Sequence, residues 1–318
     1  MVRAVYMGSE GFSMPPLRAL WHEGPHLATP VEIVGIVTQP DRRSGRGRVF
    51  SANAVKKFGL EHNIPVVQPV SLREPGNQAS LTALRPDLFI VASFGQILPR
   101  TVLELPAMGC LNVHPSLLPR YRGPAPITGA LLAGDTVTGI CLMQMTSRMD
   151  AGPILSARSY RIPTGVTAGE LTESLADLAA MILVEDLPAW INGTMEPKPQ
   201  DETKATYTRL LAKSDGALDW EEPAHVLARR VLAYNPWPGA YSGWNGRQLR
   251  LLRADSLAGQ EQPGKVIGAD ADGVLIGSRE GILRVTELQL TGGRPLSARD
   301  FIAGHRDIVG AVLQTTEL

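Results

Sequence analysis

The chain has 318 residues, of which 44% are hydrophobic and 19% are charged, and its 31 basic side chains balance its 31 acidic ones. This composition is typical of a globular protein and excludes collagen, a coiled coil and bulk disorder. At about 150 residues per domain, the length predicts two domains. Because the net charge is zero, any site for a polyanion has to come from a local cluster of basic residues.

The sequence shows neither a membrane span nor an export signal. No apolar run approaches the roughly 18 residues of a membrane-spanning helix, and the first residues, MVRAVYMGSEG, lack the apolar stretch of a secretory signal. Cys110 and Cys141 are too few for a disulfide framework or a zinc site built from cysteines. We therefore expect a cytoplasmic protein that binds no metal ion and contacts no membrane.

Short apolar runs alternate with amphipathic stretches through the first half of the chain. Helices are predicted near Pro15–Trp21 and Ser51–His62, and near-continuous apolar runs are typical of strands buried on both faces. The five predicted strands are Ala4–Met7, Val31–Thr38, Asp87–Ser93, Gly109–His114 and Ile140–Met145. Strands separated by helices predict an α/β domain with a parallel, doubly wound sheet.

The second half of the chain has a different texture. Thr167–Glu170 has the pattern of a capping box before a long helix. After Pro188 a polar, proline-bearing stretch predicts an interdomain linker at 189–208, between domains at 1–188 and 209–318. The last domain consists of short apolar runs split by glycine turns, which predicts a small β-barrel or sandwich.

The densest polar motif lies at the end of the strand that finishes at His114. Asn112 and His114 are two residues apart, so both side chains project from one side of the strand. An amide and an imidazole directed at one point can hydrogen-bond to an oxygen that gains negative charge. Asp150, which follows the next strand, is placed to accept a proton from His114 and to fix its tautomer. On spacing alone, each of these residues is more often a turn former or an edge residue.

Four segments carry a resemblance that covers nearly the whole chain. They are GQILP (95–99), NVHPSLLPRYRGPAPI (112–127), MQMTSRMDAGPIL (143–155) and AYNPWPGAYS (233–242). Through them the sequence resembles the methionyl-tRNA formyltransferases, which belong to the folate-dependent formyltransferases. The resemblance implies a Rossmann-like formyltransferase domain followed by an OB-like β-barrel that binds tRNA. Within the last segment, Trp237 is expected to be the buried anchor of a rigid turn.

The resemblance also implies roles for individual residues. The catalytic residues of the family fall on Asn112, His114 and Asp150. The segments that contact tetrahydrofolate fall on seven residues, namely Ser116, Leu117, Leu118, Pro119, Gln96, Ile97 and Leu98. Arg148 stands where a small residue is common in the family.

The reaction that the resemblance implies is transfer of the formyl group of 10-formyltetrahydrofolate to the α-amine of methionine on initiator methionyl-tRNA. Asn112 and protonated His114 would donate hydrogen bonds to the formyl oxygen, where negative charge develops. Asp150 would orient His114 and hold a water molecule that carries the amine's proton away. This chemistry requires no metal ion.

A basic loop, Asp41–Phe50, contains four arginines: Arg42, Arg43, Arg46 and Arg48. Guanidinium groups suit phosphates and base edges, although composition alone favours a solvated loop equally. The resemblance implies that this loop is the one with which the family enters the acceptor end of tRNA.

Other functions remain open at this stage. A sugar-nucleotide formyltransferase would share the SLLP segment, the three polar residues and an OB-like domain. A hydrolase that releases formate from the same cofactor is also conceivable. The basic loop favours tRNA over a sugar nucleotide, the three polar residues argue against an inert RNA-binding module, and the missing glycine fingerprint argues against a nicotinamide oxidoreductase. We expect the protein to act as a monomer.

Overall fold

The chain forms two compact units. The computed structural model describes residues 1–9, 11–44, 49–270 and 272–315. One unit consists of Met1–Pro126, Val137–Arg161 and Thr172–Thr208, and the other of Ile127–Thr136, Ile162–Leu171 and Arg209–Leu318. Two short segments before residue 189, Ile127–Thr136 and Ile162–Leu171, therefore belong to the same unit as the residues from Arg209 onwards. The domain limits inferred from the sequence stay a prediction.

The first unit is built on a seven-stranded sheet. The described residues of this unit form nine strands, seven in the sheet and two in a separate hairpin. They are β1 (Val2–Gly8), β2 (Val31–Val37), β3 (Arg42–Ser44), β4 (Val49–Ser51), β5 (Val66–Val67), β6 (Leu88–Ala92), β7 (Cys110–His114), β8 (Val137–Gln144) and β9 (Ile154–Arg161). The order in the sheet is β5-β2-β1-β6-β7-β8-β9, and β3 pairs with β4 as a separate hairpin.

Five neighbouring strands of this sheet, from β5 to β7, run parallel, which confirms the predicted Rossmann-like sheet. The run at Ile140–Met145 was expected to be a further parallel strand, but β8 lies antiparallel to β7, and β9 antiparallel to β8. A continuous apolar run indicates burial and carries no information on direction. The strand order reverses at β1, so the carboxyl ends of β1 and β6 flank the switch point where such sheets bind ligands.

The helices of the first two-thirds of the chain follow the predicted alternation. They are α1 (Met14–Glu23), α2 (Ala54–Glu61), α3 (Pro75–Ala83), α4 (Arg100–Leu103), α5 (Pro126–Ala133) and α6 (Ala168–Ile191). The capping box predicted before α6 is confirmed. The Glu170 amide donates to Thr167 Oγ1 at 3.3 Å, and the Thr167 amide donates to Glu170 Oε2 at 2.9 Å. Each side chain thus satisfies a backbone N–H that the first turn of the helix cannot.

The second unit contains an antiparallel sheet whose strands follow one helix and precede another in the chain. Its elements are α7 (Ala224–Ala233), β10 (Ala240–Trp244), β11 (Arg247–Leu257), β12 (Val266–Ala269), β13 (Val274–Gly277), β14 (Ile282–Leu290), β15 (Leu296–Ser297) and α8 (Ala298–Gly304). The strand order is β10-β11-β14-β13-β12, with β15 beside β14. Alternate residues of these strands are buried in one apolar core with Leu227 and Val231 of α7 and Phe301 of α8.

The segment Gly310–Gln314 closes this sheet into a barrel. On one side, Val266 of β12 donates to Ala311 O and accepts from the Gly310 amide, both at 2.8 Å. On the other side, Gly243 of β10 donates to Gln314 O at 2.8 Å and accepts from its amide at 3.0 Å. The two edge strands are therefore joined through this segment, which confirms the small β-barrel expected after residue 209.

Two further expectations concern single residues. Cys110 and Cys141 are buried and unpaired, as predicted, and burial raises their pKa to about 12 and about 11, so both thiols stay neutral. Trp237 was expected to be buried, but it is 50% exposed.

In the part of the chain that the structure describes, every helix is too short or too polar to span a bilayer.

Candidate active site

Asn112 and His114 lie on the same face of β7. The strand is buried between β6 and β8, so its alternation directs both side chains to one side of the sheet, as predicted. His114 is almost fully buried, with 4% of its surface exposed, whereas Asn112 is partly exposed. The strand therefore places a solvent-accessible amide beside an imidazole that is almost inaccessible to solvent.

Asp150 joins this pair from an unexpected direction. Because β8 is antiparallel to β7, the loop between β8 and β9 starts at the amino end of β7, beside Leu111. The loop folds back along the strand and brings Asp150 Oδ1 to 3.5 Å from Asn112 Nδ2, and Asp150 Oδ2 to 3.8 Å from His114 Nδ1. All three predicted polar side chains therefore converge.

Backbone groups of the loop after β7 hold the two titratable side chains. The Gly123 amide donates to Asp150 Oδ2 at 2.7 Å. Gly123 has a φ of +106°, and a Cβ there would lie 2.7 Å from Thr208 O, so this position requires glycine. Asp150 itself has a φ of +48°, a left-handed conformation that is uncommon outside glycine, although aspartate tolerates it better than most residues.

The tautomer of His114 follows from its one close partner. His114 Nε2 lies 3.0 Å from the backbone oxygen of Tyr121. Because a carbonyl oxygen only accepts, Nε2 carries the proton, and Nδ1 is the ring atom that faces Asp150. The distance of 3.8 Å from Nδ1 to the carboxylate is too long for a direct hydrogen bond. Nδ1 is therefore available to a third group, and so is the hydrogen of the Asn112 amide that does not face Asp150.

The segment SLLP lies just beyond β7 and is tied to the sheet. Ser116 is fully buried and donates from Oγ to Arg120 O at 2.7 Å. The Leu118 amide donates to Cys141 Sγ at 3.3 Å, and Leu118 is 7% exposed. The peptide bond between Leu118 and Pro119 is cis, and Leu117 lies in the same short loop. The four residues form a fixed backbone segment next to the three polar side chains.

The other predicted folate segment follows β6. Val91 of β6 pairs with Asn112, so the loop from Ser93 leaves the sheet beside the end of β7. Gln96 fixes the loop, because its Nε2 donates to Pro69 O at 2.8 Å and its Oε1 accepts from the Leu72 amide at 3.2 Å. Leu98 is buried, whereas Ile97 is 66% exposed and offers an apolar surface.

Two of the four predicted tRNA-binding arginines lie in the described part of the basic loop. Arg42 and Arg43 belong to β3, and Arg46 and Arg48 lie outside the described residues. The base of the hairpin is held by Asp41, which is 2.6 Å from Lys56 Nζ and accepts from Gln68 Nε2 at 2.9 Å. The hairpin therefore starts from a fixed point beside α2.

Sequence reasoning missed the Tyr121 carbonyl and the Gly123 amide, because backbone groups leave no trace in residue identity. The glycine in RYRGP was the one available indication, since a required glycine often marks a close approach of two chain segments. Within the described ranges, no three His, Cys, Asp or Glu side chains are grouped as ligands for a metal ion.

Comparison with known families identifies the family to which the chain belongs. A family model for formyl transferase matches residues 5–187, and one for the formyl transferase C-terminal domain matches residues 210–306. The chain belongs to the formyl transferase family. Asn112, His114 and Asp150 all lie in the part matched by the first of these models.

Curated relatives match the chain over nearly its full length. The methionyl-tRNA formyltransferase of Chloroflexus aurantiacus (strain ATCC 29366 / DSM 635 / J-10-fl) is 44% identical over 310 residues, which cover 96% of this chain and 98% of that protein. The methionyl-tRNA formyltransferase of Pseudomonas syringae pv. syringae (strain B728a) is 41% identical over 314 residues, 98% of either chain.

Solved structures share the fold at lower identity. HypX from Aquifex aeolicus, in complex with tetrahydrofolic acid, aligns with a TM-score of 0.64 and 19% identity over 97% of this chain. The match covers 48% of HypX, so this chain spans about half the length of that protein. An N-formyltransferase from Helicobacter canadensis, in complex with folinic acid and dTDP-3-aminofucose, aligns with a TM-score of 0.65 and 14% identity over 90% of this chain and 99% of its own.

Proposed function

We propose that this chain transfers the formyl group of 10-formyltetrahydrofolate to the α-amine of methionine on initiator methionyl-tRNA. The observation that carries the proposal is the convergence of Asn112, His114 and Asp150, in which the Asn112 amide has only a long contact of 3.5 Å to Asp150 and His114 Nδ1 lies 3.8 Å from the same carboxylate. Full-length relatives that are 41–44% identical and named methionyl-tRNA formyltransferase support the choice of acceptor.

The donor set of the site fits a formyl group. When bound, the folate supplies a formyl group on N10 and takes up one proton there as the carbon–nitrogen bond breaks. Asn112 donates from its amide and protonated His114 donates from Nδ1 to the formyl oxygen, on which negative charge develops as the amine attacks. Both donors are already directed at one point, so they need little rearrangement when the charge appears.

Asp150 holds the water molecule that takes up the proton of the attacking amine. Its Oδ2 accepts from the Gly123 amide, which holds the carboxylate in place, and its Oδ1 is only weakly engaged by Asn112 at 3.5 Å. A water molecule on this carboxylate can take the proton and pass it on towards N10. The Tyr121 carbonyl keeps the His114 ring in the orientation that directs Nδ1 to the same space.

The two segments beside the site suit a flat, partly apolar ligand. Ser116, Leu117, Leu118 and Pro119 supply a rigid wall, and Gln96, Ile97 and Leu98 supply a second one, with Ile97 exposed. Because stiff backbone loses little entropy when it orders a ligand, these segments are well suited to hold the folate.

The arginines of the β3–β4 hairpin are proposed to contact the acceptor end of the tRNA. Arg42, Arg43, Arg46 and Arg48 provide four positive charges within ten residues of sequence, and the described start of this loop is fixed at Asp41. An acceptor stem without a normal first base pair costs less energy to open, which would favour the initiator through deformation rather than base reading. We place this reaction in the cytoplasm and assign it to the monomer.

A sugar-nucleotide formyltransferase is the second candidate, because the Helicobacter canadensis protein shares the fold. Its identity is 14%, against 41–44% for the full-length relatives, and the basic hairpin has no evident use with a sugar nucleotide.

The deciding experiment supplies 10-formyltetrahydrofolate with one acceptor at a time. The acceptors are initiator methionyl-tRNA, a UDP-linked amino sugar and water alone, and the products scored are formylmethionine, formylated sugar and formate. We expect formylmethionine from the tRNA and background levels from the other two, with Asn112→Ala as the inactive control. Turnover of the sugar alone, or formate release that the tRNA does not alter, would refute the proposal.

A further inference from the structure

The stretch that was predicted to be an interdomain linker is hydrogen-bonded to the loop after β7. Arg122, between Tyr121 and Gly123, donates from its amide to Thr206 O at 2.9 Å and accepts from the Thr208 amide at 2.8 Å. Residues 206–208 thus run beside the loop whose backbone contacts His114 and Asp150. The first compact unit accordingly extends to Thr208.

Arg122 connects this stretch to the interior. Its side chain is fully buried, and its Nη1 and Nη2 donate to the two carboxylate oxygens of Glu202 at 3.1 and 2.9 Å. The Arg122 guanidinium lowers the pKa of Glu202 to about 2, with a further contribution from Arg148, so Glu202 is ionised at neutral pH. A buried guanidinium needs such a partner, because an unpaired buried charge is strongly destabilising.

Gln200 links Arg122 directly to the Asp150 loop. Its Oε1 accepts from Arg122 Nε at 3.1 Å and from Nη2 at 2.9 Å. Its Nε2 donates to the backbone oxygens of Asp150 at 2.8 Å and Gly152 at 2.7 Å. The Gln200 amide thus uses both its hydrogens and its oxygen to join the loop that carries the Asp150 carboxylate to the loop that contains Arg122 and Gly123.

We propose that Gln200 and Glu202 are positioning residues for the transfer reaction, which hold the Asp150 carboxylate at its distance from His114 and Asn112. The proposal rests on the proposed function of that site. Asp150 has the left-handed φ of +48°, a conformation that costs energy, and Gln200 binds the carbonyl of that same residue. Arg122, held by Glu202, fixes the other loop, whose Gly123 amide binds the carboxylate.

A positioning role differs from a purely structural one in what it changes. Neither Gln200 nor Glu202 has a hydrogen bond to Asn112, His114 or the folate segments in the described structure, so we expect their loss to act mainly on the position of the Asp150 carboxylate. A displacement of the carboxylate by about 1 Å is expected to lower turnover by up to about 10²-fold while substrate binding persists.

The test compares three variants in the tRNA formylation assay. Gln200→Met keeps the length of the side chain and removes every hydrogen bond. Gln200→Glu keeps an oxygen for Arg122 and removes both donors to the Asp150 loop. Asp201→Ala is the matched control, because Asp201 lies between the two residues and binds Thr203 and Lys204 instead.

We expect both Gln200 variants to lower kcat by about 10- to 100-fold. The KM for each substrate should stay within about threefold, and Asp201→Ala should match the wild type. The unfolding temperature of each variant is measured alongside, and Glu202→Gln, which keeps one oxygen for Arg122, replaces Gln200→Met if that variant does not fold. Wild-type kcat in folded Gln200 variants, or a rise in KM with kcat unchanged, would overturn the inference. Failure of the wild-type protein to formylate initiator methionyl-tRNA would instead overturn the proposed function.

Discussion

Replacement of Asn112 by alanine isolates the contribution of one hydrogen-bond donor. Among the described residues the Asn112 amide has a single hydrogen bond of 3.5 Å, to Asp150, at the outer limit of such bonds. Its loss should therefore cost less than about 1 kcal/mol of folding free energy. If the amide donates to the formyl oxygen during transfer, Asn112→Ala should lower kcat by about 10²–10³-fold, which is about 2.7–4 kcal/mol of barrier.

Single-turnover formylation of initiator methionyl-tRNA measures this loss directly, and a thermal melt measures the stability. Asn192→Ala is the matched control, because the Asn192 amide is exposed beyond α6 and has one contact of 3.2 Å, with Thr29. We expect the control to retain wild-type turnover. A variant at Asn112 that is stable and retains kcat within about threefold would refute the assignment of this amide to the transferred oxygen.

Three further predictions concern the carboxylate, the hairpin and acid stability. Asp150→Asn should lower kcat by about 10²-fold or more with little change in the KM for folate. Asparagine tolerates the left-handed backbone but does not take up a proton. A higher KM for folate with normal kcat in steady-state assays would contradict this. Arg43→Ala should raise the KM for tRNA and flatten its salt dependence, with folate binding unchanged; the KM for tRNA measured across a KCl series checks it, with exposed Arg73→Ala as control. The Thr167 amide and Arg253 lower the pKa of Glu170 to about 2, so its ionised form stabilises the fold above the ordinary value of roughly 4.3, and this contribution is lost as pH falls towards 2. The melting temperature of Glu170→Gln should therefore fall less steeply than that of the wild type across that window, and equal slopes would argue against it.

Local patterns in the sequence predicted local features well. The capping box at Thr167 and Glu170 specifies a helix start by two side chains that bind each other's backbone, so residue identity was sufficient. The alternation along β7 likewise placed Asn112 and His114 on one face, because side-chain direction in a strand has a fixed period of two.

Features that depend on tertiary contacts could not be predicted in the same way. The direction of β8 is set by its pairing with β7, and this direction decides that Asp150 approaches from the amino end of that strand. The partners of His114 and Asp150 in the next loop are a carbonyl and an amide, which every sequence contains. Gln200 lies in a polar stretch whose composition is that of a linker, so its role emerged only from its contacts with Arg122 and Asp150.

The closure of the barrel by Gly310–Gln314 has a consequence for biosynthesis and for shortened forms of the chain. This segment is synthesised after every strand that it joins, so β12 and the part of β10 around Gly243 keep unpaired edges until it arrives, whereas the Tyr241 carbonyl of β10 already accepts from the Leu218 amide. Exposed edges of this kind are templates for pairing with other chains. A polypeptide that stops before Gly310 would retain the transferase site yet leave two such edges open, and its first defect would be self-association rather than loss of chemistry.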